Sequence, residues 1–156
     1  IHQSTSDVIN RAHDMPTFDD AVRRLREKNI DVVVQIINGL HTETKEMMID
    51  TVKYLNNFDI QGIKIHSLFI LKNTPLGDLY TKEKFNILSL EEYVDITTEQ
   101  LALLDKDIVI HRINGDAPKN DLIEPTWSIK KLVVMNEIDK MMKQKNYYQG
   151  IKKSSL

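Results

Sequence analysis

Two short strings set histidine in matching surroundings: KIHSL at residues 64–68 and VIHRI at residues 109–113. An imidazole titrates near neutrality, so His66 and His111 are candidates to hold or move a proton or to ligate a metal. Each sits in an apolar run that reads as a parallel strand, and a polar residue inside such a strand points into a sheet face. In a barrel-like sheet that face carries the site. The alternative is a hydrogen-bonded core or surface histidine, and the spacing leaves both open. None of the five histidines, His2, His13, His41, His66 and His111, stands at the spacing of a local metal pair. Arg112, Asn114, Gly115 and Asp116 follow His111 at the strand end, where α/β folds gather their binding groups. Gly115 beside Asp116 reads equally well as a turn.

A second candidate is VVVQIINGLHTETKE, residues 32–46. A buried strand runs into Asn38 and Gly39, and a helix begins soon after. The glycine lets the backbone approach a ligand, and amides at the helix start can face a polar or anionic group. Gly39 can also simply turn the chain. No glycine-rich phosphate loop is present. With no cysteine in the chain there is no disulfide framework and no thiolate metal site.

These residues need elements to hold them. A short helix is expected over Asp7–His13. A second starts at Thr17, with Asp20 in the capping-box position and Phe18, Ala21, Val22 and Leu25 as its apolar stripe. Asp31–Asn38 reads as a strand apolar nearly throughout, as for a parallel strand covered on both faces. Thr42 caps a helix reaching about Asn57. Gly62–Leu71 reads as one long strand, with Ile63, Ile65 and Ser67 on one side and Lys64, His66 and Leu68 on the other. Residues 72–89 form a long connection. Ser89 and Glu92 make a capping box for a helix to about Leu104. Asp107–Ile113 is the third strand, residues 114–125 a loop, and Ser128 the cap of a last helix that buries Ile129, Leu132, Val133, Ile138 and Met141. Strands alternating with helices predict right-handed βαβ units and a parallel sheet, an α/β fold.

Composition bounds the function classes. The 156 residues suit one domain, with 41% hydrophobic and 28% charged residues. A formal charge of -2 gives no overall electrostatic reason to bind nucleic acid or an acidic membrane. The lysines from Lys140 to Lys153, with no acid after Asp139, leave room for a local basic patch. No apolar run approaches the ~20 residues of a membrane span. A cytoplasmic location is the default expectation.

Several strings then agree in order with one family. IHQSTSDVINRAHD, VVVQIINGLHTETKEMMIDT, GIKIHSLFILKNTPLGDLY, LSLEEYV, VIHRINGDAP and TWSIKKLVVMNEIDKMM resemble consecutive segments of radical S-adenosylmethionine proteins of the YhcC/YtqA type. The resemblance implies part of a six-stranded, TIM-like (β/α) barrel, with residues 1–150 as the C-terminal part of the barrel domain and 151–156 as a basic tail. It implies a parent enzyme in which a CxxxCxxC loop holds a four-iron four-sulfur cluster that reductively cleaves S-adenosylmethionine to a 5′-deoxyadenosyl radical. This chain, lacking those cysteines, corresponds to the half after the fourth strand and is expected to be inactive alone. The resemblance places Asn38, Gly39, Glu43, Phe69 and Leu71 on the S-adenosylmethionine side and His66, His111 and Arg112 on the substrate side. His41 and Thr42 stand where the family's usual GLPGET has Pro and Gly. A more distant likeness to Elp3-like tRNA-modifying enzymes makes a tRNA base an expected substrate, with an electron donor as partner of the parent. The chain by itself is expected to self-associate. The competing reading is a free-standing α/β binding or scaffold module.

Overall fold

A computed structural model describes residues 1–153. In chain order the elements are α1 (Gln3–Val8), α2 (Met15–Arg26), β1 (Val33–Asn38), α3 (Lys45–Leu55), β2 (Gly62–Ser67), β3 (Ile70–Leu71), α4 (Pro75–Lys82), α5 (Leu90–Leu103), β4 (Val109–Arg112), β5 (Leu122–Glu124) and α6 (Lys131–Gln144), with a 3₁₀ turn at Thr126–Ile129. β1, β2 and β4 form a parallel sheet in the order β1-β2-β4. The α/β architecture and its three parallel strands are those the sequence predicts.

The sheet is covered on one face. Val34, Ile36, Ile63 and Ile65 join Val52 and Leu55 of α3, Tyr93 and Leu101 of α5, and Val134 and Ile138 of α6 in one buried cluster. The other face is open: in β1, Val33, Gln35 and Ile37 are exposed, alternating with buried Val34, Ile36 and Asn38. The expectation that β1 is covered on both faces is therefore corrected. An apolar strand has side chains suited to two covers, and this chain supplies one. β2 shows the alternation read from its sequence, with Ile63, Ile65 and Ser67 buried and Lys64 and His66 half-buried.

The long strand expected over Gly62–Leu71 stops at Ser67. Its neighbours end at Asn38 and Arg112, so a longer β2 would have no parallel partner. The chain bends at Leu68 and Phe69, and Ile70–Leu71 pairs antiparallel with β5, inside the stretch read as loop. The connection after it contains α4. Thr74 Oγ1 accepts from the Gly77 amide at 3.1 Å, and Pro75 takes the first helical position, where its missing N–H costs nothing.

Several caps shift by a few residues. Asp14, not Thr17, caps α2, accepting from the Thr17 amide at 3.0 Å. Thr44, not Thr42, caps α3. α1 lies upstream of the expected Asp7–His13. Ser128 is buried in the 3₁₀ turn and donates to the Pro125 carbonyl at 2.7 Å. α6 starts at Lys131, so Val134 and Ile138 face the core and Leu132 and Val133 are exposed. The Ser89–Glu92 box is present in both directions, at 3.1 and 2.8 Å.

The lysine-rich tail is not a free basic patch. Lys145 pairs with Asp95 at 2.8 Å and Glu99 at 3.0 Å, Lys152 with Glu99 at 2.5 Å, and Lys153 with Asp105. Lys140 and Lys143 pair with Glu137 and Asp139 one turn away. The backbone follows: the Gly150 and Lys152 amides donate to the carbonyls of Leu101 and Ala102 at the end of α5. The expected basic tail, 151–156, lies partly beyond the described residues. Among the described residues no helix is long and apolar enough to cross a membrane.

Candidate functional site

The open sheet face gathers the polar residues. β2 contributes Lys64 and His66, which lie opposite Gln35 and Ile37 of β1. β4 contributes two consecutive residues. Ile63 pairs with Ile110, but Lys64 pairs with Arg112, so the register slips by one residue at His111. Ile110 and Ile113 both pack against the core. The two residues between them, His111 and Arg112, are therefore left on the open side, an arrangement a regular strand forbids and a bulge permits. The His111 ring extends over Gly62, where a β-carbon would lie 2.4 Å from its Nε2 atom.

His66 is the most constrained of these groups. Its Nε2 is buried and has no hydrogen-bond partner among the described residues. A β-carbon on Gly115 would lie 3.0 Å from His66 Nδ1 and 2.9 Å from the Phe69 ring, so the bare backbone of Gly115 is what lets both side chains approach. Burial, followed by the positive charges of Arg112, Lys64 and Lys131, holds the His66 imidazole below its ordinary pKa. At neutral pH it is therefore an uncharged ring in a field of cations. The loop after β4 is anchored behind it. Tyr93 donates to the Ile113 carbonyl at 2.9 Å, and Trp127 packs on Tyr93 and donates from Nε1 to the Leu88 carbonyl at 2.9 Å.

The residues expected on the cofactor side are distributed differently. The Asn38 side chain is buried and turned away from the open face. Its amide exchanges two hydrogen bonds with Gln100 of α5, at 2.7 and 2.9 Å, and Gln100 also donates to the Met48 carbonyl. Gly39 follows with φ +89°, a left-handed conformation that favours glycine, and a β-carbon there would meet Leu88 at 3.0 Å. Asn38 and Glu43 border a cavity of about 510 Å³ running along β1 between α2 and α3. Phe69 belongs with His66 and Gly115. Leu71 is in the antiparallel ribbon, where its carbonyl accepts from Thr74 Oγ1 at 2.8 Å. The structure thus brings His66 and Phe69 together against Gly115, with Arg112 on the same face, leaves His111 over Gly62 four residues back along β2, and sets Asn38, Gly39 and Glu43 at and beyond the end of β1. Lys64, Lys131, Gly62 and Gln100 are the neighbours that sequence reasoning missed. The alternation of β2 signals Lys64, but no local pattern signals the other three.

Comparisons with known proteins bear on the family and the fold. The Radical_SAM C-terminal domain matches residues 60–144. The chain is 41% identical over 150 residues to the uncharacterized protein YtqA of Bacillus subtilis, covering 96% of this chain and 47% of YtqA. It is 28% identical over 151 residues to the uncharacterized protein MJ0486 of Methanocaldococcus jannaschii, again covering 96% and 47%. It is 25% identical over 155 residues to YhcC of Escherichia coli, covering 99% and 49%. The chain thus spans about half the length of the curated relatives it matches. Among solved structures, the archaeal Methanocaldococcus infernus Elp3 with an N-terminal deletion superposes with a TM-score of 0.79 at 16% identity, over 96% of this chain and 35% of that one. That likeness is one of fold. With the match spanning β2 to α6, the chain belongs to the Radical_SAM C-terminal domain family.

Proposed function

We propose that this chain forms one wall of the reaction chamber of a radical S-adenosylmethionine enzyme whose other half carries the iron–sulfur cluster. The observation that carries the reading is the gathering of His66, His111 and Arg112 on the open face of a sheet that belongs to this family. The cluster does not fit the residues of this chain. It has no cysteine, and among the described residues no three His, Asp or Glu side chains are grouped to hold a metal. S-adenosylmethionine fits better. The end of the β1 cavity at Leu40 and Glu43 offers carboxylate and apolar contacts, set there by the buried turn at Gly39, with Phe69 as a further apolar surface. In the full-length protein, S-adenosylmethionine held at this end would supply a carbon-centred radical on one-electron reduction by an external donor, with methionine as the leaving group.

The chain's own residues then have defined tasks. Glu43 holds the cofactor end of the chamber, and the left-handed turn at Gly39 positions it. His66 and His111 hold or move a proton at their ring nitrogens, and Arg112 provides a fixed positive charge. A tRNA base is the proposed substrate, supported by the cations of the open face and not by the tail, whose described lysines are paired. The test is anaerobic reconstitution of the full-length protein, with dithionite as electron donor. Formation of 5′-deoxyadenosine from S-adenosylmethionine, rising when tRNA is added, is the expected result, and this chain alone should form none. A reconstituted full-length protein with an intact cluster absorbance that never yields 5′-deoxyadenosine would overturn the reading.

A further inference from the structure

Charge on the open face is unbalanced. Lys64 and Arg112 pair across β2 and β4, and with Lys131 they are the positive charges acting on His66. Among the described residues one carboxylate answers Arg112 and Lys131. Asp116, on the loop after β4, reaches Arg112 Nη1 at 3.3 Å and also pairs with Lys131 at the start of α6. It bridges two cations that come from different elements and that otherwise face solvent. Its own side chain is 59% exposed, and those of Arg112 and Lys131 are 42% and 41% exposed. Exposed pairs of this kind are weak, so an external anion can replace Asp116 at little cost. Beside it a cavity of about 420 Å³ opens between Asp116 and residues 128–133, giving room for the displaced loop or for the arriving group.

The geometry points to an oxyanion subsite in which a carboxylate or phosphate of the substrate takes the place of Asp116 between Arg112 and Lys131, above His66. Asp116 is then an internal stand-in that keeps the two cations apart and in position until substrate arrives. Arg112 suits the role because its planar fork can hold two oxygens of one anion, while Lys131 and Lys64 add point charge without demanding a direction. The His66 ring packs against Gly115, next in the chain to Asp116, so its nitrogens sense a change of charge at the subsite. This inference rests on the proposed reaction chamber and names the chemical class of what enters it.

Binding can be read without turnover. The full-length protein, labelled with ¹⁵N-histidine, is titrated with inorganic phosphate and, separately, with acetate, and the ring resonances of His66 and His111 are followed. A saturable shift of His66 is expected with at least one of the two. Saturation by phosphate alone assigns the group to a phosphate, and by acetate alone to a carboxylate. Asp116→Asn should bind the same anion about fivefold more tightly, equivalent to about 1 kcal/mol. Arg112→Gln combined with Lys131→Gln should abolish saturation while leaving the circular dichroism melt in place, since both side chains are at the surface. An Asp116→Asn protein that binds no tighter, a double variant that still saturates, or no shift with either anion would overturn the subsite. The titration requires neither cluster nor S-adenosylmethionine, so its failure is distinct from a failure to form 5′-deoxyadenosine.

Discussion

The imidazole of His111 fills the space over Gly62 that any side chain there would claim, with Nε2 2.4 Å from the position of a β-carbon. The ring on one strand is thus held by the bareness of the next, and glycine at residue 62 is a requirement of the site as much as of the strand. Gly62→Ala should cost only about 1 kcal/mol, because the end of a side chain can swing away, but it should move the His111 ring off the face. Histidine-ring NMR together with urea denaturation separates the two effects. A His111 resonance unchanged by the substitution would contradict the contact.

Gly77 makes the opposite case. A β-carbon there would fall 2.1 Å from the Leu71 carbonyl oxygen, which is backbone and cannot swing. In an ordinary helix Gly→Ala gains about 1 kcal/mol of helix propensity. Here the overlap between α4 and β3 costs more, up to about 3 kcal/mol for overpacking. Gly77→Ala should therefore destabilise the protein by about 2 kcal/mol in chemical denaturation. A stabilised variant would show that α4 does not start against β3 in this way.

Asn38 and Gln100 form a closed amide pair, 62 residues apart and almost fully buried. Replacing Gln100 with Ala leaves both the N–H and the oxygen of the buried Asn38 amide unpaired, an expected loss of about 3 kcal/mol. Replacing both residues should cost clearly less than the sum of the single changes. A double-mutant cycle measures this, and a coupling energy near zero would mean that the pair does not act as a unit.

The clasp between α5 and the tail has a predictable pH dependence. Hydrogen bonds from Lys145 and Lys45 hold Asp95 below its ordinary pKa of 3.8. Burial pushes Glu99 upward, but Lys152 and Lys145 outweigh it and leave it below 4.5. Folded values below the unfolded ones mean that this stabilisation is complete above about pH 4.5 and is lost as pH falls through the folded values. Urea midpoints measured from pH 7 to pH 3 should drop less steeply in Glu99→Gln than in the unmodified chain. Parallel curves would place the acid sensitivity elsewhere.

The open face also predicts self-association of the chain when it is purified alone. Val33, Ile37 and Val109 are exposed there, and β1 has one free edge. Light scattering at low micromolar concentration should show a dimer or larger species, and Ile37→Lys should shift it toward monomer. A clean monomer of the unmodified chain would refute the prediction.

What the sequence determined by itself was whatever is decided within about one helical turn or along one strand. The Ser89–Glu92 box is legible because its two hydrogen bonds close over three residues. The strand cores Val33–Asn38, Gly62–Ser67 and Val109–Arg112 are legible from their apolar runs, and the sides of Ile63, Lys64, Ile65 and His66 from the period of two. Even the missed start of α4 is written locally, in Thr74 and Pro75. Tertiary structure decided the rest, because it depends on partners the local sequence does not name. β2 ends at Ser67 because pairing with β4 has stopped at Lys64 and β1 ends opposite Ser67 at Asn38. His111 and Arg112 share a face because the pairing with β2 slips by one residue, and a slip in register leaves no mark on a single strand. The tail lysines are spent on carboxylates of α5 and of the turn after it, about 50 residues away, and so form no free patch. Asn38 points at Gln100 and not at a ligand for the same reason: a buried amide goes where its hydrogen bonds can be closed, and only the assembled fold supplies the other half.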